Sequence, residues 1–148
     1  MARPQPSRDD EQRAHQLRRH AHAVRDFMSR YERAVMSGDG GQLSALWALP
    51  AGVFDAAGVT SIESIGDVEQ ILVTAKQQHA ALGIVDSRLE ILDENWVGDR
   101  IVIAKVQWQY FDGSGGAIGS EDCNFTLRRG DSGDLEVRAV LVHGILRN

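Results

Sequence analysis

Hydrophobic residues recur at spacings of three and four positions along the first quarter of the chain, which is the repeat of an amphipathic helix. Ser7 followed by Asp10 matches a capping box at the beginning of this segment. The glycine-rich sequence SGDGG, residues 37–41, marks its end. The pattern therefore predicts one long helix, either continuous or broken. Its apolar positions are Leu17, Ala21, Val24, Phe27, Met28, Tyr31 and Val35.

A short second helix is predicted directly after the glycines. Asp39 is placed to cap it, because an aspartate before an apolar repeat accepts hydrogen bonds from the first free amides of a helix. Leu43, Leu46 and Trp47 then share one helical face, and Pro50 is expected to end the helix because it has no amide hydrogen to donate.

A hairpin and a third helix follow. β-branched residues on both sides of DAAG predict a strand, a turn and a second strand over residues 51–64. Residues 67–82 again show helical spacing, with His79 on the apolar stripe and Gly83 as the stop signal. On that stripe a histidine is typical of a core or interface position.

From Ile84 onward the hydrophobic period changes from about 3.6 to two, which is typical of β-strands. The turn sequences NWVGD, DGSGGAIG and RGDSGD separate four such segments. Helices followed by an antiparallel meander indicate an α+β fold, with the helices on one face of a curved sheet. The predicted strands are 86–94, 100–111, 120–128 and 135–144.

Alternation along two of these strands predicts which side chains face the helices. In 100–111 the even positions are the more apolar, so Trp108 and Tyr110 are expected to line a pocket. In 120–128 the odd positions are expected to point inward. These odd positions are Glu121, Cys123, Phe125 and Leu127.

The last strand is apolar on both faces. Leu141 and His143 share the face that is expected to be inward, together with two apolar residues before them. Val140 and Val142 lie on the opposite face. A sheet that is apolar on its outer face is usually covered, and we therefore expect a homodimer.

Composition is that of an ordinary globular domain, with 43% hydrophobic and 25% charged residues in 148. We expect a flexible tail over residues 1–8 and a single domain with an N-terminal helical extension over 9–148. The apolar runs are too short for a membrane span, and the N-terminus lacks the apolar core of a signal peptide, so we expect a cytoplasmic protein without membrane contacts. With a single cysteine, Cys123, an intrachain disulfide is excluded.

Charge is distributed unevenly along the chain. Residues 1–33 hold eight arginines against five acidic residues, whereas residues 34–148 hold eight basic against sixteen acidic residues. Because acidic residues are interleaved with the N-terminal arginines, we expect a solvated helix face there and no nucleic-acid partner.

The order of elements, with the words RYERAVMSGD, VQWQYFDGSG and FTLRRGDSGD, resembles the nuclear-transport-factor-2-like superfamily over about residues 24–146. Ketosteroid isomerases, scytalone dehydratase and SnoaL-like cyclases belong to that superfamily. The resemblance implies a cone-shaped, curved antiparallel sheet with a mixed edge. It also implies that three N-terminal helices cover the concave face and leave a ligand cavity between helices and sheet.

Two residues fall on positions that are catalytic in ketosteroid isomerases. RYERAVMSGD resembles the segment around the tyrosine that donates to the oxyanion, which implies this role for Tyr31. AGVFD resembles the strand that ends in the proton-shuttling aspartate, which implies that role for Asp55. The second donor of that family has no equivalent, because Phe125 or its neighbour Asn124 stands there. Asp55 could instead initiate the DAAG turn, and Tyr31 could be a packed core residue.

His143 is the third candidate. Scytalone dehydratase uses inward-facing histidines for acid–base elimination, and histidine titrates in the useful range. At the end of the last strand His143 could equally bond a backbone carbonyl or face solvent. The other histidines have no suitable neighbours for a metal site, so no metal and no cofactor is expected.

Two functions remain open. One is a cofactor-independent isomerase, dehydratase or cyclase that acts on a small apolar molecule, with Tyr31, Asp55 and His143 as acid–base and oxyanion groups. The other is a non-catalytic ligand-binding or dimerisation domain with an aromatic-lined pocket. The pocket-lining residues predicted for either function are Trp47, Trp108, Tyr110, Cys123, Phe125 and Leu141.

Overall fold

A computed structural model describes residues 3–148, so the first two residues of the predicted tail lie outside the described part of the chain. Within that part there are four helices and one six-stranded sheet. No helix of residues 3–148 is both long and apolar enough to cross a membrane. The helices are α1 (Arg8–His20), α2 (Ala23–Ser37), α3 (Gly40–Ser44) and α4 (Ile65–Leu82).

The sheet has the strand order β2-β1-β6-β5-β4-β3 and does not close into a barrel. β1 runs parallel to β6, and the other neighbouring strands are antiparallel. Three helices, α2 to α4, pack on one face, so the predicted α+β fold with a mixed sheet is confirmed. The strands are β1 (Trp47–Asp55), β2 (Gly58–Ile62), β3 (Asp86–Val97), β4 (Ile101–Phe111), β5 (Ala117–Arg129) and β6 (Leu135–Arg147).

The predicted first helix is broken in two at Ala21 and His22. His22 adopts a left-handed conformation with φ 67°, which no α-helix can continue through. The Ser7 capping box forms at the beginning of α1, as predicted. Residues Arg8–His20 bury no side chain, whereas α2 buries five, so the core begins at α2.

The predicted second helix is wrong at its C-terminal end. It ends at Ser44, and Trp47 is already the first residue of β1, where it pairs with Val137 of β6. Five helical residues are too few to be stable alone, so strand pairing decides the conformation. Pro50 lies within β1, in a stretch where the pairing with β6 is irregular and a missing amide hydrogen costs little.

Two bulges in β6 change which of its side chains face the helices. Leu127 pairs with Val137 but Thr126 pairs with Ala139, so β6 has one extra residue there. The extra residue reverses the alternation, and Leu141 points to the outer face of the sheet. A second bulge follows at Gly144, whose φ of 94° suits glycine.

Candidate functional site

A cavity of about 140 Å³ lies between α2, α4 and the inner face of the sheet. We call it the inner cavity. Its walls are mainly apolar, with aliphatic side chains from both helices and aromatic ones from β1, β4 and β5. The volume is close to the roughly 150 Å³ of an engineered cavity that admits benzene, so it suits a one-ring molecule. The lining side chains that carry a polar group are Tyr31, Trp47, Gln78, His79, Ser87, Trp108, Tyr110, Glu121 and Cys123.

Tyr31 reaches this cavity from the buried face of α2. Its ring packs edge-on against Phe125, with 5.1 Å between ring centroids. Burial raises the pKa of the Tyr31 hydroxyl, and the neighbouring Trp47 indole N–H opposes that rise. Tyr31 therefore stays protonated and can act only as a hydrogen-bond donor or acceptor. The buried Trp47 Nε1 lies near the Tyr31 hydroxyl but outside strict hydrogen-bonding geometry, so the two groups form an adjacent pair of donors that a ligand can use.

Glu121 brings a carboxyl group into the same cavity. It lies on the inner face of β5, and Tyr110 Oη of the adjacent β4 donates a 3.0 Å hydrogen bond to its Oε1. Burial raises the pKa of Glu121, which the bond from Tyr110 opposes. Burial and the Glu121 carboxylate together raise the pKa of Tyr110. A carboxyl that is costly to ionise and lies in an apolar cavity is a good proton carrier.

His79 of α4 lines the cavity beside this pair. Its ring centroid lies 4.9 Å from that of Tyr110. Burial lowers the pKa of His79, so the imidazole is neutral at physiological pH and can both donate and accept. Cys123 also lines the cavity, but burial raises the pKa of its thiol to about 12, which removes it as a thiolate nucleophile.

Six of the nine predicted site residues lie together. Around the inner cavity the structure places Tyr31, Trp47, Trp108, Tyr110, Cys123 and Phe125.

Asp55 lies away from the cavity. Its carboxylate Oδ1 accepts hydrogen bonds from the amides of Ala57, at 2.9 Å, and Gly58, at 3.1 Å. The side chain is exposed at the β1–β2 turn. Of the two roles that the sequence leaves open, this geometry is that of the turn former.

The predicted inward orientation of Leu141 and His143 is wrong. The first bulge of β6 places both on the outer face, and Val140 and Val142 line the cavity in their place. Leu141 is 44% exposed. His143 is exposed as well, and its Nε2 donates a 2.7 Å hydrogen bond to Asn124 Oδ1 on the same outer face.

Sequence reasoning gave no role to Glu121 or His79. The alternation of β5 places Glu121 inward, and an acidic residue on an otherwise apolar inner face is the signal that points to it. His79 carries a weaker signal, a histidine on an apolar helical stripe. Among residues 3–148 no group of three or more His, Cys, Asp or Glu side chains could hold a metal ion.

The arrangement has the parts for proton transfer. Glu121 can take up or release a proton, and Tyr110 fixes its orientation. The Trp47 N–H and the Tyr31 hydroxyl can stabilise a developing negative charge on a ligand oxygen in the same cavity.

Comparisons with known proteins agree with this architecture. A family model described as NTF2-like protein (DUF6841) matches residues 20–145. No curated protein matches the chain. Similar solved structures include an NTF2-like protein with a cystatin-like fold from Novosphingobium aromaticivorans, at 14% identity and a TM-score of 0.69, covering 95% of this chain and 91% of that one.

Two further structures have comparable similarity. A ketosteroid isomerase-like protein from Erwinia carotovora atroseptica is 9% identical, with a TM-score of 0.62, over 82% of this chain and 92% of that one. Aln2 from a Streptomyces species is 16% identical, with a TM-score of 0.63, over 95% and 93%. At these identities the similarity establishes the fold alone.

Proposed function

Since the chain belongs to the NTF2-like DUF6841 family, whose fold surrounds a cavity, we propose that it binds a small, largely apolar molecule and transfers a proton on it without a cofactor. The reaction class is that of an isomerase or lyase. Glu121 is the acid–base group, and Tyr31 keeps the donor role that its position in the sequence implies. Asp55 and His143 have no part in the reaction.

The observation that carries this proposal is the position of Glu121. Its carboxyl group lies inside an apolar cavity, it accepts a hydrogen bond from Tyr110, and burial raises its pKa. Partial burial of a carboxylate without an ion-pair partner costs stability, and a functional role would explain why it is kept there. The two ion pairs found within residues 3–148 involve neither Glu121 nor any other residue of the cavity.

The proposed reaction is proton transfer next to a carbonyl. The Glu121 carboxylate removes a proton from the carbon adjacent to the ligand carbonyl, and the electron pair moves onto the carbonyl oxygen. Hydrogen bonds from Tyr31 and Trp47 stabilise that oxygen. The protonated Glu121 then returns the proton to another carbon of the same molecule, so an isomerisation is balanced without any co-reactant.

Conversion of cyclohex-3-enone to cyclohex-2-enone tests this proposal, because the substrate is a one-ring ketone and the product absorbs in the ultraviolet. We expect Glu121→Gln to lower kcat by about a hundredfold or more, the usual contribution of an acid–base group. Tyr31→Phe should lower it by at least about tenfold, since one oxyanion donor is lost.

Asp55→Asn is the matched control. It makes the same change of a carboxylate to an amide, but at the exposed turn, where the amide oxygen can still accept from Ala57. Its kcat should equal that of the wild type. If Glu121→Gln turns over as fast as Asp55→Asn, the assignment of Glu121 as the acid–base group is wrong.

We also propose a homodimer through the outer face of the sheet. Exposed apolar residues lie on this face, and we call four of them the outer patch. Phe54 pairs with both Val59 and Leu141 across neighbouring strands, so these three side chains are adjacent. Water-exposed apolar side chains on adjacent strands are typical of a covered interface. The outer patch comprises Phe54, Val59, Ile103 and Leu141.

A further inference from the structure

The inner cavity adjoins a second one, which we call the outer cavity. The outer cavity has a volume of about 230 Å³ and lies between α2, α4 and the beginning of β3. The two cavities share part of their walls. Their common residues are Val35, Leu72, Ala75, His79 and Ser87.

Size favours a ligand that occupies both cavities. Sites for small molecules usually have volumes of about 300–1,000 Å³. The inner cavity, at about 140 Å³, is well below that range. The adjoining outer cavity, at about 230 Å³, more than doubles the available space.

Ser87 lies at the boundary between the two cavities, and its hydroxyl makes an unusual hydrogen bond. Ser87 is buried, with 8% of its surface exposed. Its hydroxyl donates to Met36 Sδ at 3.2 Å, and a thioether sulfur is a weak acceptor. An oxygen of a ligand would be a better acceptor for this buried donor. His79, neutral because burial lowers its pKa, lines the same boundary.

The charges of the outer cavity favour an uncharged group. Lys76 and Asp86 both line it, both are exposed, and they have opposite signs. Neither an anionic nor a cationic substituent gains a clear advantage there, and a neutral oxygen acceptor suits the Ser87 hydroxyl.

We propose that Ser87 and His79 bind a neutral carbonyl oxygen on a short side group of the ligand, whose apolar ring fills the inner cavity. The ligand class is therefore a one-ring molecule that bears an ester, ketone or amide on a side group extending into the outer cavity. This rests on the proposed function only in that the inner cavity is the ligand site.

Two probes test the inference, methyl 3-phenylpropanoate and propylbenzene, which share a phenyl ring with a three-carbon side group and differ in the ester oxygens. Dissociation constants are measured by calorimetry for the wild type and for Ser87→Ala. We expect Ser87→Ala to raise the dissociation constant of the ester about fivefold, which is the effect of losing one neutral hydrogen bond. The dissociation constant of propylbenzene should not change. Ser61→Ala, an exposed serine on β2, is the matched control and should change neither constant.

A second measurement does not depend on the variant. The infrared carbonyl stretch of the ester bound to the wild-type protein should lie below its value in cyclohexane, because a hydrogen-bonded carbonyl is weakened. An unshifted band overturns the inference, even if Ser87→Ala fails to fold.

The remaining outcomes separate this inference from the proposed function. Equal effects of Ser87→Ala on both probes overturn the inference and leave proton transfer by Glu121 intact. Failure of both probes to bind overturns the inference and removes the ligand site that the proposed function needs. Selective weakening of the ester supports the Ser87 site, whether or not Glu121→Gln slows isomerisation.

Discussion

Glu121 and Asp55 differ in what surrounds their carboxyl groups. Asp55 is exposed and bonded to two backbone amides of its own turn. Glu121 is bonded to a tyrosine hydroxyl inside an apolar cavity. In the proposed function the half-buried carboxyl of Glu121 is the better proton carrier, because burial removes part of the hydration that stabilises its charge and so raises its pKa. Partial burial is therefore our reason for proposing Glu121 as the acid–base group, and position in a sequence motif is the weaker guide.

The raised pKa of Glu121 predicts how stability depends on pH. The folded protein holds this proton more tightly than the unfolded chain does, so the group stabilises the fold fully below its ordinary pKa of 4.5. That contribution is lost as the pH rises through the folded pKa. Glu121→Gln lacks the ionisation, and its melting temperature should therefore rise relative to the wild type between pH 4 and pH 8. If the melting temperatures of the two proteins differ by the same amount at every pH in this range, the partial burial of the carboxyl is contradicted.

Residue placement was predictable where alternation is regular. The even positions of β4 and the odd positions of β5 face the cavity as their polarity indicates, which correctly places Trp108, Tyr110 and Phe125. Asp55 shows the limit of this reasoning, since an aspartate before a turn can face either a cavity or its own amides. The hydrogen bonds that decide between them depend on backbone geometry, which a sequence word does not specify.

At the scale of elements, α1 is attached to the sheet through its C-terminal end. His20 stacks on Trp96 of β3, with 3.4 Å between ring centroids and 14° between the planes. The Arg129 guanidinium also lies over Trp96 and donates to the backbone oxygen of Arg19 at 3.0 Å. An ion pair joins Arg19 to Asp99. These contacts hold a helix that buries none of its own side chains.

Removing the Trp96 ring should release α1. We expect Trp96→Ala to accelerate amide hydrogen exchange in Arg8–His20 by about fivefold, since an aromatic pair contributes ~1 kcal/mol. Trp96→Phe keeps a ring for His20 to stack on and should exchange at nearly the wild-type rate. Equal exchange in all three proteins would show that the stack does not hold the helix.

The same junction should weaken at acidic pH. Burial, and then the Arg129 charge, lowers the pKa of His20, while the Gly98 carbonyl and Asp99 oppose that shift. Neutral His20 therefore contributes fully to the docking of α1 above its ordinary pKa of 6.5. That contribution is lost as the pH falls through the lower pKa of His20 in the docked helix. Exchange in α1, corrected for its intrinsic pH dependence, should be faster at pH 5 than at pH 7.5. A difference that persists in His20→Gln would contradict this origin.

Element types were largely predictable, but the end of α3 and the bulges of β6 were not. The turn and capping residues correctly separate helices from strands, because glycine and aspartate act locally. The end of α3 and the bulges of β6 depend on which strand lies alongside, and that pairing is not visible in a local pattern. One extra residue in β6 was enough to turn Leu141 and His143 outward.

At the scale of the whole molecule, the two faces of the sheet have different surroundings. The inner face of the sheet and the helices enclose the cavities, and the outer face carries the outer patch. The order of elements predicted the mixed α+β architecture, since helices followed by a meander have few ways to pack. The inner face of β6 is apolar because it lines the cavity. We attribute its apolar outer face to the proposed interface.

A charge in the outer patch should prevent dimer formation. We expect wild-type protein to sediment as a dimer at micromolar concentration and Leu141→Asp as a monomer, because a buried unpaired carboxylate at an interface is unfavourable. Val73→Asp makes a similar change at an exposed apolar residue of α4, away from the sheet, and should remain dimeric. A monomeric wild-type protein would contradict the interface.

The central claim is that the inner cavity binds a small molecule, and the three tryptophans test it within one sample. Trp47 and Trp108 line the cavity, whereas Trp96 lies outside it against His20. In a titration with cyclohex-2-enone, followed by the indole N–H signals in a ¹H–¹⁵N spectrum, the signals of Trp47 and Trp108 should shift and that of Trp96 should not. Unchanged Trp47 and Trp108 signals at saturating ligand would contradict the claim.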